Sequence, residues 1–175
     1  MDRERRFNAL FEQTYPAVRR YAHHRGLGDA DAEDLAADVF AVAWRKLDRI
    51  PADDPVPWLL AVARNHWRNH LRRRERGHRL SQRLAGRDAI SVVAPEEPSA
   101  SHAHILAALA SLDPGDQEVL RLTAWDGLEP RQIAVVLGCS AVAARVRLHR
   151  ARSRFADALD RQNDVASRPS PSPAH

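Results

Sequence analysis

Apolar residues recur along this chain at spacings of three and four, the signature of amphipathic helices. Phe7, Leu10, Phe11, Tyr15, Val18, Tyr21 and Ala22 predict a first helix that ends at Gly26-Leu27-Gly28. Pro16 is expected to kink or divide it, because proline lacks an amide donor and crowds the preceding turn. Asp31 reads as the N-cap of a second helix, with Leu35, Val39, Val42, Ala43, Leu47 and Ile50 as its buried stripe. A proline-rich turn at 51–57 leads into a third helix over about 56–76, burying Leu60, Ala63, Trp67 and Leu71. The rhythm weakens over 77–101, where 94–101 has the composition of a linker. It resumes with Ile105, Leu106, Leu109 and Leu112, then Asp113-Pro114 caps a helix carrying Val119, Leu120, Leu122 and Trp125. No stretch keeps the period-two alternation of a strand, so the predicted fold is all-α. Two small helical domains, 1–76 and 102–162, flank a flexible linker at 77–101, and a Ser/Pro-rich tail at 163–175 is expected to be disordered.

Charge sharpens this picture. The chain has 175 residues and a net charge of +4, and Lys46 is its only lysine, so arginine supplies almost all the positive charge. Residues 29–54 hold eight acids against three bases, whereas 64–87 hold nine arginines against Glu75 alone. A second basic block, 145–154, has five arginines and no acid. Two basic faces, one in each half, point to a polyanion gripped at two places. Arginine's planar fork of donors suits phosphates and base edges.

The segment from Pro130 to Arg154 has the pattern of a helix-turn-helix. Ile133, Ala134 and Leu137 would pack its first helix, Gly138 permits the sharp turn, and Ser140 caps the second helix. On that second helix Arg145, Arg147, His149, Arg150, Arg152 and Arg154 offer donors to guanine edges and phosphates, while Val146, Leu148 and Phe155 would face the core. A plain helical hairpin with a solvated basic face is the alternative. In the first half Arg64, Asn65, Arg68, Asn69, Arg72, Arg73 and Arg74 share a helix with Trp58 and Trp67. Arginine, amide and aromatic groups together suit opened DNA, whose bases stack while its phosphates pair. A solvated arginine face over a buried Trp67 fits the same residues.

The acidic helix carries Asp34 and Asp38 beside Phe40 and Trp44, a combination of charge and aromatic anchors that suits a protein partner. The competing reading places Phe40 and Trp44 in a wide core. His66 and His70 lie four residues apart, but no Glu follows His66 in the zinc-protease manner and no cysteine is near, so no metal is expected. No phosphate loop or nucleophile elbow is present, and neither cofactor nor enzymatic activity is expected. Cys139 is the sole cysteine, which excludes a disulfide scaffold and fits a reducing, cytoplasmic location. The longest apolar runs are six residues, too short to span a membrane, and 1–6 lack a signal peptide's apolar stretch.

Taken in order, these segments resemble extracytoplasmic-function sigma factors, the two-domain specificity subunits of bacterial RNA polymerase. Leu10-Phe11-Glu12, the run from Asp31 to Trp44, Pro57-Trp58-Leu59, Ala63-Arg64-Asn65 and Asn69-His70-Leu71-Arg72-Arg73 look like that family's sigma-2 domain. Leu112-Asp113-Pro114, Gly127-Leu128, Ile133-Ala134, Leu137-Gly138 and the run from Arg147 to Arg152 look like its sigma-4 domain. The resemblance implies that the helix with Asp34, Asp38, Phe40 and Trp44 docks on the polymerase clamp coiled coil, with the flap as a further contact. It implies that the helix with Arg64, Asn65, Arg68, Asn69, Arg72 and Arg73 recognises the minus-10 element and helps to melt it, the loop at 50–56 holding a flipped base. Ser140, Arg145, Arg147, His149, Arg150 and Arg152 would read the minus-35 element as duplex. An anti-sigma factor is a partner the family implies. Asn69 stands where many members have Asp, and Ala143-Ala144 where Thr-Val is common, so base preference does not transfer.

A stand-alone helix-turn-helix regulator and a metal-dependent enzyme built on His66 and His70 are the competing readings. A stand-alone regulator would bind duplex operator tightly by itself, usually as a dimer, whereas a sigma factor would need polymerase for specificity. Reach is a check on the two-site picture. About 25 linker residues extend to roughly 80 Å but average only about 28 Å as a coil. Promoter elements lie roughly 35 to 70 Å apart, so a sigma factor's domains would be held apart by polymerase.

Overall fold

Seven helices follow in chain order in the computed structural model, which describes residues 2–82 and 100–166. They are α1 (Arg3–His23), α2 (Asp29–Arg45), α3 (Val56–Gln82), α4 (Ala100–Ala110), α5 (Pro114–Ala124), α6 (Pro130–Leu137) and α7 (Ala141–Ala166). A single 3-10 turn, Leu47–Arg49, precedes the loop into α3, and no strand occurs among the described residues. Most of the expected linker, the last nine residues of the expected disordered tail, and the side chains of 73–102 and 163–166 lie outside the described residues.

Local chemistry explains several helix ends. Asp113 accepts the amides of Gly115 and Asp116 at 2.9 and 3.0 Å, with Pro114 in the first turn of α5, as the sequence predicts. That bond to the Asp116 amide is the main reason the Asp113 carboxyl is held below its ordinary range. Gln132 and Glu129 form a reciprocal capping box at the start of α6. Two helix expectations are corrected. Pro16 does not divide α1, which runs unbroken through it. The N-cap of α2 is Gly28, so Asp31 sits inside the first turn, where its charge still favours the helix dipole.

The first three helices pack pairwise on one another, and α4, α5 and α6 each pack on α7. The buried stripe of α2 is wider than expected, with Ala36 and Phe40 buried alongside Leu35, Val39 and Ala43. Several large side chains expected inside are at the surface: Leu71 is exposed on α3, Ile105 and Leu106 on α4, and Trp125 just after α5. Ala63, Leu109, Val119 and Leu122 are buried as expected, and Leu59 and Ala108 join them inside. On α7 the buried seam is Ala144, Leu148, Ala151 and Ala158, leaving Val146 43% exposed rather than in the core.

The two halves are not separate bodies. Helix α6 packs against α3, and one apolar cluster runs from Tyr21, Leu59, Leu60 and Ala63 into Leu122, Ile133, Ala134 and Val136. The linker is thus not what sets their spacing in this structure.

Candidate nucleic-acid and polymerase interface

Three surfaces carry the residues singled out by sequence. The first is the helix-turn-helix. Helices α6 and α7 meet at 102°, within the range of DNA-reading helix pairs. Gly138 makes the corner at φ 65°, the left-handed conformation that favours glycine. Ser140 Oγ then accepts the Ala143 amide at 3.1 Å and starts α7. Arg145, Arg147, His149, Arg150 and Arg152 are all exposed along the first turns of α7, as is Ser140. Val142 and Val146 lie among them, 66% and 43% exposed. Arg154, grouped with them by sequence, instead pairs with Asp116 and Asp113 at 2.5 and 3.5 Å.

The second surface is α3. Asn65, Arg68, Asn69 and Arg72 are exposed along it, one helical stripe on the side away from Leu59 and Ala63. Arg73 lies on the same helix, its side chain outside the described residues. Arg64 is set apart: its side chain is 20% exposed and its Nε sits 3.9 Å from Glu118 of α5. Trp67 is half-buried and stacks on His70 with ring centres 6.0 Å apart. His66 Nδ1 lies 3.2 Å from Asp38, linking α3 to α2. Among the described residues no group of three or more His, Cys, Asp or Glu is placed to hold a metal.

The third surface is α2. Asp34 and Asp38 are exposed, and Trp44 is 38% exposed. Phe40 departs from the expected surface: it is 4% exposed and packed against Phe11 and Tyr15, ring centres 4.7 and 6.2 Å away. Its ring lies on the side of α2 that packs against α1, away from Asp34 and Asp38. Trp44 is fixed edge-on against Phe7 at 5.1 Å, and Arg3 donates to its backbone carbonyl at 2.6 Å.

Sequence periodicity gave no sign of a fourth cluster. Arg25, after the end of α1, donates to Glu118 at 3.0 Å and to Asp126 at 3.1 Å, and its guanidinium lies 3.3 Å from the Tyr21 ring centre. Burial lowers the Arg25 pKa, but Tyr21, Glu118 and Asp126 outweigh it and hold the guanidinium charged. Burial also pushes the Tyr21 phenol far above its ordinary range. Arg121, nearby, is lowered by burial and then by Arg25. The partners lie about a hundred residues apart, beyond any local pattern.

Comparison with known proteins decides what these surfaces belong to. The model of sigma-70 region 2 matches residues 10–77, and that of sigma-70 region 4 matches residues 102–155. The chain is 31% identical to the RNA polymerase sigma factor CnrH of Cupriavidus metallidurans, over 92% of this chain and 90% of the relative. This chain belongs to the extracytoplasmic-function sigma factors. It is also 31% identical to the ECF RNA polymerase sigma factor BldN of Streptomyces coelicolor, over 83% of this chain and 57% of that one. A solved structure of CnrH with the cytosolic domain of CnrY matches at a TM-score of 0.61 and 28% identity, covering 90% of this sigma factor and 89% of that chain. The helix-turn-helix is the sigma factor's region 4, and α1 to α3 form its region 2. Its function is promoter recognition and transcription initiation with RNA polymerase, a binding role rather than an enzymatic one.

Proposed function

We propose that the three surfaces divide the work of initiation residue by residue. Ser140, Arg145, Arg147, His149, Arg150 and Arg152 contact the minus-35 element in the major groove. The observation that carries this is the exposed basic row on a helix whose start is fixed by the Gly138 corner and the Ser140 cap. Such a row serves both base edges and phosphates. Arg64, Asn65, Arg68, Asn69, Arg72 and Arg73, with the loop at 50–55, engage the minus-10 element and the opened strand. Strand opening here needs no covalent step: captured bases and phosphates favour the melted state by binding it and not the duplex.

Asp34, Asp38 and Trp44 form the contact with the polymerase clamp, and Phe40 holds Trp44's neighbourhood in place. Region 4 meets the flap. CnrH is seen with the cytosolic domain of CnrY, and an anti-sigma factor of that kind is a partner for this chain. No single described helix is long and apolar enough to cross a membrane. Acting on RNA polymerase, the protein works in the cytoplasm.

Run-off transcription with core polymerase and Arg147→Ala or Arg150→Ala variants tests the assignment. Use of the minus-35 element falls in both if it holds. Unchanged promoter affinity in both variants removes α7 as the reading helix.

A further inference from the structure

The outward face of α7 changes character along its length. At about 3.6 residues per turn, Ala144, Leu148 and Ala151 fall on one side of the helix, and all three are buried. The stripe opposite them runs through Val142, Val146, Ser153, Asp157 and Asp160, each of them exposed. It is apolar at the start of the helix, then polar, then acidic. Val142 is 66% exposed and Val146 43% exposed, and neither belongs to the apolar cluster that Ala144 joins. Packing within the chain therefore gives no reason for a branched apolar side chain at either position.

The flanks of this stripe are basic. Arg145 and Arg152 lie to one side of it, and Arg147 and Arg150 to the other. Arginines on both flanks of a helix set in the major groove meet the bordering phosphates and the polar base edges. The valines, on the centre line between them, face the groove floor. Valine has neither donor nor acceptor, and the apolar group that a base edge offers there is the C5 methyl of thymine. Against guanine, adenine or cytosine, valine would strip water from a polar edge and return no hydrogen bond. Each valine thus favours thymine twice, by covering its methyl and by penalising the other bases. Farther along, Asp157 and Asp160 would meet phosphates of like sign, so the stretch that faces the groove ends before them.

We propose that Val142 and Val146 read thymine methyl groups in the minus-35 element. This rests on the assignment of α7 to that element and adds the base that its apolar positions select. The two valines are one helical turn apart, about 6 Å along the axis, so the thymines they meet lie about two base-pair steps apart.

Deoxyuridine lacks only the methyl of thymidine, which makes the test specific. Full-length protein with core polymerase first selects its minus-35 element from duplexes randomised upstream of a promoter found by run-off transcription. Each thymine of the selected element is then replaced singly by deoxyuridine. Holoenzyme affinity is measured for wild type, Val142→Ser and Val146→Ser. Serine has nearly valine's helix propensity and both positions are exposed, so the variants should keep their helical circular dichroism. Alanine, a stronger helix former, replaces serine should either variant lose it. Removing one methyl should weaken wild-type binding about three- to fivefold at one or two thymines. Val146→Ser should weaken binding to the unmodified element by a similar factor and lose nothing more when its partner methyl is removed. Val142→Ser should do the same at a second thymine. An element without thymine, or wild-type binding indifferent to every methyl, overturns the proposal. An equal methyl effect in wild type and both variants overturns it too, since the methyl would then act through duplex stiffness. If Arg147→Ala and Arg150→Ala still lose the element in that case, the assignment of α7 stands without the valines. If those variants keep it as well, the assignment itself falls.

Discussion

Arg147 and Arg150 are exposed along α7, one turn apart on the helix that follows the Gly138 corner. A bidentate contact from either to a guanine is worth about 1 to 3 kcal/mol of discrimination, so each alanine variant should weaken minus-35 binding by that order. A competition assay against altered elements checks it. Phe40 and Trp44 separate by the same logic. Phe40→Ala opens a cavity among Phe7, Phe11 and Tyr15 and should cost about 3 to 5 kcal/mol of stability, read as a lower melting temperature. Trp44→Ala should leave the fold helical and weaken co-elution with core polymerase. The sequence told apart neither residue, because both lie on the apolar side of α2 and only the position of α1 decides which is covered. Val146 shows the same limit on α7: Ala144 takes the buried place, and a small residue gives a weaker periodic signal than valine.

At the scale of elements, helix ends carried the most legible information. Asp113-Pro114, Gly138 and Ser140 are each used as their side chains or backbone freedom predict. Asp113 also gives a pH prediction. Its carboxyl is depressed in the folded state by the Asp116 amide, so its contribution is complete above the ordinary carboxylate pKa of about 4 and is lost as pH falls through the lower folded value. Asp113→Asn should therefore flatten the acid limb of stability, followed by the fluorescence of Trp125 at the end of α5. Gly138→Ala tests the corner between α6 and α7. A Cβ there meets nothing within 4 Å, so the expected cost of about 1 to 2 kcal/mol is purely that of a left-handed backbone. Pro16 does not divide α1. It removes one hydrogen bond from α1, but the helix is held on both sides by α2 and α3, and tertiary packing outweighs that loss.

For the whole molecule, two helical units were readable from periodicity and charge, whereas their closure on each other was not. Tyr21 and Arg25 look like the end of an amphipathic helix, and Glu118 and Asp126 like ordinary surface acids. Only the folded chain brings them together across about a hundred residues. The charge pattern was informative for a related reason: exposed arginines keep their sequence-level clustering, while Arg25, Arg64 and Arg154 are drawn into ion pairs that no local count reveals. The central claim is that this sigma factor directs core polymerase through the exposed rows on α3 and α7. Reconstituted run-off transcription on a promoter library, comparing wild type with an Arg68→Ala, Arg147→Ala double variant, tests it most directly. Wild type should bind core and give defined start sites, and the variant should bind core equally well yet lose them. Equal transcription from both would contradict the account.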